Sequence, residues 1–237
     1  MSDSKLIVAL DVADLGEAES WVDRLLPHVR TFKVGSILFT KEGPPVVEMI
    51  HRKKGEVFLD LKFHDIPNTV AEACRVATSL GVWMLNLHIA GGTAVLREAV
   101  SAVNEESLKK KLRKPILLGV TILTHLDKAA LGELGWTLSG EVQEEVVHLA
   151  KLTKSVGLDG VVCSPQEIRP VREACGEEFV IVTPGIRPVG SLLHDQKRVS
   201  SPREAVQSGA NYIVVGRPIL ESKDPAGTVR SILEEIR

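Results

Sequence analysis

Short runs of apolar and β-branched residues alternate along the chain with longer segments whose apolar positions recur every three or four residues. The short runs are Leu6 to Leu10, Thr31 to Val34, Val57 to Lys62, Met84 to His88, Ile116 to Ile122, Gly160 to Cys163, Val180 to Thr183 and Tyr212 to Val215. Their length and composition predict strands. The longer segments lie around Glu17 to Leu26, Pro45 to Arg52, Val70 to Leu80, Ala94 to Asn104, Glu141 to Val156, Pro165 to Ala174, Pro202 to Gln207 and Ala226 to Ile236, and predict amphipathic helices. Eight strand–helix units in alternation point to a closed parallel (β/α)8 barrel, a TIM barrel. An open doubly wound sheet also alternates, but it wants fewer strands or a glycine-rich first turn, and Asp11-Val12-Ala13-Asp14 has no glycine. No linker, low-complexity tract or short repeat interrupts the pattern, so residues 1–237 are expected to form a single domain.

Composition narrows the range of partners. A hydrophobic content of 44% in 237 residues is enough for one large core. The formal net charge of -2 provides no basic field for nucleic acid, and no apolar run approaches the roughly 18 residues of a membrane span. A small-molecule partner is expected. Leu6 to Leu10 is too short and wrongly flanked for a secretion signal, so the expected location is the cytoplasm. Cys74, Cys163 and Cys175 form neither an even disulfide set nor a metal-spaced pair, and read as buried, reduced thiols.

In such barrels the chemistry gathers at the carboxyl ends of the strands. Asp11 closes the first expected strand, Lys33 lies within the second, Asp60 and Lys62 end the third, and His88 ends the fourth. Strand alternation puts Asp60 and Lys62 on one face, while Asp65 falls on a loop, just before Ile66-Pro67-Asn68 and the helical run that follows. Two aspartates around a lysine suit proton chemistry, because the carboxylates keep the ammonium charged and oriented. Plainer roles compete: Asp65 or Asp11 as helix caps, Asp60 with Lys62 as a strand-end ion pair, and His88 as a hydrogen-bonded wall residue. Asp11, Asp60, Asp65 and His88 are also conceivable metal ligands, but Lys33 already brings the positive charge a cation would supply.

The second half reads as a clamp. Gly216 after the last strand allows close backbone approach, and Arg217 can grip a phosphate at the usual phosphate corner of the barrel. After strand seven, Thr183-Pro184-Gly185-Ile186-Arg187 opens a long loop to Val199 that contains Gly190, Gln196, Lys197 and Arg198 and reads as a lid. The loop from Thr124 to Leu138 is similarly long, and Leu126, Leu131 and Leu134 suggest a small helix over the mouth.

The block Asp60-Leu61-Lys62-Phe63-His64-Asp65-Ile66-Pro67-Asn68-Thr69 resembles the active-site signature of the orotidine 5′-monophosphate decarboxylase family, in its bacterial-length form, and the likeness extends over nearly the whole chain. The resemblance implies a carboxy-lyase that makes uridine 5′-monophosphate and CO2, the last step of de novo UMP synthesis, without metal or cofactor. It implies a charged tetrad of Lys33, Asp60, Lys62 and Asp65, with Lys62 as proton donor to carbon 6 of the pyrimidine. Asp11 and Lys33 would touch the ribose, Thr124 the pyrimidine edge, and Arg187, Gln196, Gly216 and Arg217 the phosphate. A homodimer is implied, with Asp65 and Thr69 given across the interface. His125 after Thr124 departs from the small hydroxyl residue expected in many bacterial members. Two rivals are a metal-dependent sugar-phosphate decarboxylase or aldolase, which should carry an acidic residue in place of Lys33, and a non-catalytic nucleotide-binding barrel, against which Lys62 and both aspartates count.

Overall fold

The alternation seen in the chain closes into a ring. The computed structural model describes residues 4–188 and 200–237. In order, the elements are β1 (Leu6–Ala9), α1 (Leu15–Leu25), β2 (Thr31–Gly35), α2 (Ser36–Glu42), α3 (Pro45–Arg52), β3 (Glu56–Phe63), α4 (Pro67–Ser79), β4 (Met84–His88), α5 (Gly92–Lys110), β5 (Ile116–Val120), α6 (Lys128–Glu133), α7 (Val142–Ser155), β6 (Gly160–Val162), α8 (Ile168–Cys175), β7 (Val180–Thr183), α9 (Pro202–Gln207), β8 (Tyr212–Val215), α10 (Arg217–Leu220) and α11 (Pro225–Glu235). The eight strands pair in chain order, β8 returning to β1, and all pairs are parallel. This is the expected (β/α)8 barrel.

Period-two alternation divides the core into two apolar layers. Ile7, Ala9, Phe58, Met84, Leu118, Val182 and Val214 fill the barrel, while the alternate residues, among them Val8, Phe32, Leu59, Leu85, Val161 and Ile213, pack outward beneath the helices. With the interior plugged below, polar residues on the inward face can exist only at the ends. Among the described residues no helix is long and apolar enough to cross a membrane.

Differences from the expected elements have local causes. β5 stops at Val120 instead of Ile122: its partner β6 ends at Val162, and Thr121 ties its own amide and hydroxyl to the Val162 carbonyl. α5 continues six residues past Asn104, because Glu106 and Ser107 are buried polar residues that no apolar pattern reports. Glu106 is held by the Ser79 hydroxyl at 2.7 Å and Lys110 at 3.1 Å. α2 and α10 had no counterpart in the sequence reading, since each buries a single apolar side chain, Leu38 and Ile219. The segment expected as a small helix is α6, capped by Asp127, whose carboxylate accepts from the Ala130 amide at 3.0 Å.

Candidate active site

Asp60 is the junction of the barrel mouth. Its position on β3 opposite Gly35 of β2 points it inward, above Phe58. One carboxylate oxygen, Oδ1, accepts from Lys62 Nζ at 2.7 Å and from Asn86 Nδ2 at 2.7 Å; the other, Oδ2, lies 3.3 Å from Lys33 Nζ. Lys33 Nζ also donates to Asp11 Oδ1 at 3.1 Å. Charges therefore alternate as Asp11, Lys33, Asp60, Lys62. Burial alone would push Asp60 up, but the Lys33 and Lys62 charges and the hydrogen bonds from Lys62 and Asn86 outweigh it and hold its carboxyl below the usual range. Burial would likewise lower Lys33, yet Asp60 and Asp11 raise it. Lys33 and Asp60, the two buried members, keep each other charged.

Lys62 reaches this array by an irregular route. Simple alternation was expected to bring Asp60 and Lys62 to one face. Instead β3 bulges: Leu59 pairs with Leu85 and Phe63 with Leu87, so Asp60, Leu61 and Lys62 oppose Asn86 alone. Lys62 has φ 52°, a left-handed backbone that L residues seldom adopt. Its amide donates to Asn86 Oδ1 at 2.8 Å. Asn86 was missed in the sequence; the available signal was an amide at an inward position between the apolar residues of β4. It is fully buried.

Of the other expected residues, Thr124 joins the charged array at one cavity. A cavity of about 240 Å³ is lined by Lys33, Asp60, Lys62, Thr124 and Pro184, with Phe58 as part of its lining. His125 does not line it; with Asp127, Lys128 and Gln143 it faces a separate hollow. Gly216 has a physical reason to be glycine, since a Cβ there would stand 3.2 Å from Ala9 Cβ and 3.5 Å from Asp11 Oδ2. Arg217 follows as the first residue of α10, and Arg187 follows the bridge between Ile186 and Ser200. Gln196, with Gly190, Lys197 and Arg198 of the expected lid, lies outside the described residues.

Within a single chain Asp65 does not hold Lys62; it is exposed, and its carboxylate accepts only from the neighbouring Ile66 amide, at 2.6 Å, among the described residues. It is not a helix cap either, because α4 is entered through Ile66 and Pro67 without a side-chain cap. Asp11 is also no cap, that place on α1 being held by Asp14. His88 is half-buried and stands 5.1 Å, ring to ring, from His64; burial, then His64 and Lys62, hold its pKa low. Among the described residues, Asp11, Asp60, Asp65 and His88 do not gather into a group that could hold a metal ion.

Comparison with known proteins gives the family and agrees with the fold. The family described as orotidine 5′-phosphate decarboxylase / HUMPS matches residues 4–232. The orotidine 5′-phosphate decarboxylase of Moorella thermoacetica is 54% identical over 233 residues, spanning 98% of this chain and 92% of its own. That of Actinobacillus succinogenes is 50% identical, spanning 97% of both chains. Among solved structures, the orotidine 5′-phosphate decarboxylase of Lactobacillus acidophilus superposes with a TM-score of 0.83 at 33% identity, over 99% of this chain and 100% of its own.

Proposed function

The chain belongs to the orotidine 5′-phosphate decarboxylase / HUMPS family, and from that premise we propose how its barrel mouth carries out the reaction. It is a carboxy-lyase, converting orotidine 5′-monophosphate to uridine 5′-monophosphate and CO2. The observation that carries the mechanism is the Lys33–Asp60–Lys62 array, in which Lys62 Nζ lies 2.7 Å from Asp60.

Loss of CO2 from carbon 6 leaves an electron pair in a ring-plane orbital that the pyrimidine π system cannot accept. The developing anion needs a nearby cation and then a proton. Lys62 supplies both: as the carbon–carboxylate bond breaks, the pair stays on carbon 6 and takes a proton from the ammonium, and neutral Lys62 is reprotonated from water. Asp60 holds that ammonium and faces the departing carboxylate, while Lys33 neutralises Asp60 from its other side. Asp11 and Lys33 bind the ribose, and Thr124 the pyrimidine edge. Arg187, Gln196, Gly216 and Arg217 take the phosphate, whose binding energy, remote from the breaking bond, serves closure and water exclusion.

No metal or cofactor takes part in this reading. Lys33 on β2 supports it, standing where the metal-dependent sugar-phosphate rival would need an acid. The enzyme works as a homodimer in the cytoplasm, Asp65 and Thr69 entering the partner's site to complete the tetrad. Supporting this, Asp65 is exposed beside Ile66, an apolar side chain left 67% exposed, and Ile37 is 69% exposed just after the neighbouring strand β2. The test is Lys62→Ala: turnover should fall a thousandfold or more, about 4 kcal/mol of transition-state stabilisation, while uridine 5′-monophosphate binding is largely kept. Near-normal turnover would sink the role given to Lys62.

A further inference from the structure

We propose that Asn86 is a positioning residue of the reaction: its side-chain amide holds the Lys62 backbone and the Asp60 carboxylate in register, so that the ammonium is aimed at the reacting carbon. The inference rests on the role given to Lys62 above and adds what places it there.

The β3 bulge creates a problem that Asn86 solves. Three residues of β3 oppose one of β4, so the Lys62 amide has no regular ladder partner, and its left-handed backbone is disfavoured for a lysine. The Asn86 carbonyl oxygen takes that N–H at 2.8 Å, standing in for the missing main-chain acceptor. The same amide donates from Nδ2 to Asp60 Oδ1 at 2.7 Å, the oxygen that also receives Lys62 Nζ at 2.7 Å. A closed ring results: Lys62 backbone, Asn86 amide, Asp60 carboxylate, Lys62 ammonium. One end of the lysine, its backbone N–H, is tied to Asn86, fully buried on β4, and the other, its ammonium, to the Asp60 oxygen that Asn86 also holds.

The chemistry demanded of position 86 is narrow. It must offer an acceptor to an N–H and a donor to a carboxylate from adjacent atoms, which a neutral carboxamide does and a leucine or an ionised carboxylate does not. A protonated carboxyl group also meets the demand, its carbonyl accepting from Lys62 and its O–H donating to Asp60. The charged and titratable groups around the position are Asp60 and Lys62 on β3, Lys33 on β2 with Asp11 beyond it, His88 on β4 and His64, in ring contact with His88; the inward residues of β5, Leu118 and Val120, carry none.

These properties define the test. Asn86→Leu should lower kcat about a hundredfold, the scale of a misplacement of about 1 Å at a reacting centre, with uridine 5′-monophosphate binding changed less than about threefold. Asn86→Asp should be similarly impaired at pH 8. Its kcat relative to the unmodified enzyme should then climb as pH falls, by up to about tenfold per pH unit, as the introduced carboxyl is protonated. Because that carboxylate also raises the pKa of His88, two residues away on β4, the ratio is read with His88→Gln present in both proteins. Should Asn86→Leu fail to fold, Asn86→Asp carries the test alone. A kcat for Asn86→Leu within about threefold of normal, an equal loss of kcat and nucleotide binding, or a flat Asn86→Asp ratio across pH would each overturn the proposal. Lys62→Ala assayed alongside separates the two ideas: if it is inactive while the Asn86 variants are unimpaired, only the positioning role falls.

Discussion

Replacing Asp60 by Asn changes almost nothing in size and removes the charge at the centre of the array. The Asp60 and Lys33 side chains are 12% and 11% exposed, so their pairing is a buried one. Taking away one partner of a buried ion pair costs about 3–5 kcal/mol, because the other charge is left desolvated. Lys33 keeps Asp11 at 3.1 Å, which places the expectation at the lower end, about 3 kcal/mol. For a chain of 237 residues that lowers Tm by about 6–12 °C. Urea and thermal unfolding of the two proteins at neutral pH measure it. A loss under about 1 kcal/mol, the scale of an exposed pair, would show that solvent already screens the array.

The sign of the pH dependence gives a second check on the same substitution. In the unaltered protein the folded-state pKa of Lys33 lies above 10.5, so its stabilising contribution is fully present below 10.5 and is lost as pH rises through the folded value. In Asp60→Asn, burial of Lys33 is opposed only by Asp11, and the folded pKa falls relative to the unaltered protein. The stability gap should therefore narrow as pH climbs through that lower value, where the variant sheds its uncompensated charge. A gap that holds constant through the alkaline range would refute the assignment of the loss to Lys33.

Three further outcomes are expected. Mixing inactive Lys62→Ala and Asp65→Ala proteins under conditions of subunit exchange should restore about half the normal activity per hybrid dimer, one site carrying both lesions and the other neither; no recovery after verified exchange refutes the shared site. Turnover should survive exhaustive chelation, and a loss that added Mg²⁺ restores would favour the sugar-phosphate rival. Gly35→Ala should lower kcat/KM by about tenfold or more with little change in stability, because the new Cβ would sit 3.0 Å from Lys33 Nζ in an extended backbone that tolerates alanine. Unchanged kinetics would show that Lys33 has slack.

What was legible in the chain was whatever depends on neighbours in sequence. Periodicity marked β4, β7, β8, α3 and α9 to the residue, because burial on one face writes itself into every second or every third and fourth position. The signature around Lys62 was equally local, and it located the acid and base on one strand. Polar contacts that form between elements left no such trace. Glu106 extends α5 through partners that include Ser79 on α4, and α2 and α10 bury too little to show a stripe.

The site divides in the same way. Asp11, Lys33, Asp60 and Lys62 were readable as charged residues near strand ends, since a plugged barrel leaves its carboxyl rim as the place for them. That Asp60 touches both lysines, that Lys62 arrives through a bulge with φ 52°, and that Asn86 ties it down depend on the register of β3 against β4, separated by more than twenty residues of chain. Within one chain only the folded structure shows that Asp65 binds its neighbour Ile66 and not Lys62, because an exposed loop residue takes its partners from backbone geometry and not from pattern. Sequence determined which charges the mouth would hold; closure of the barrel decided which of them meet, because hydrogen bonds a few ångströms long are set by the spacing of strands that are distant in sequence.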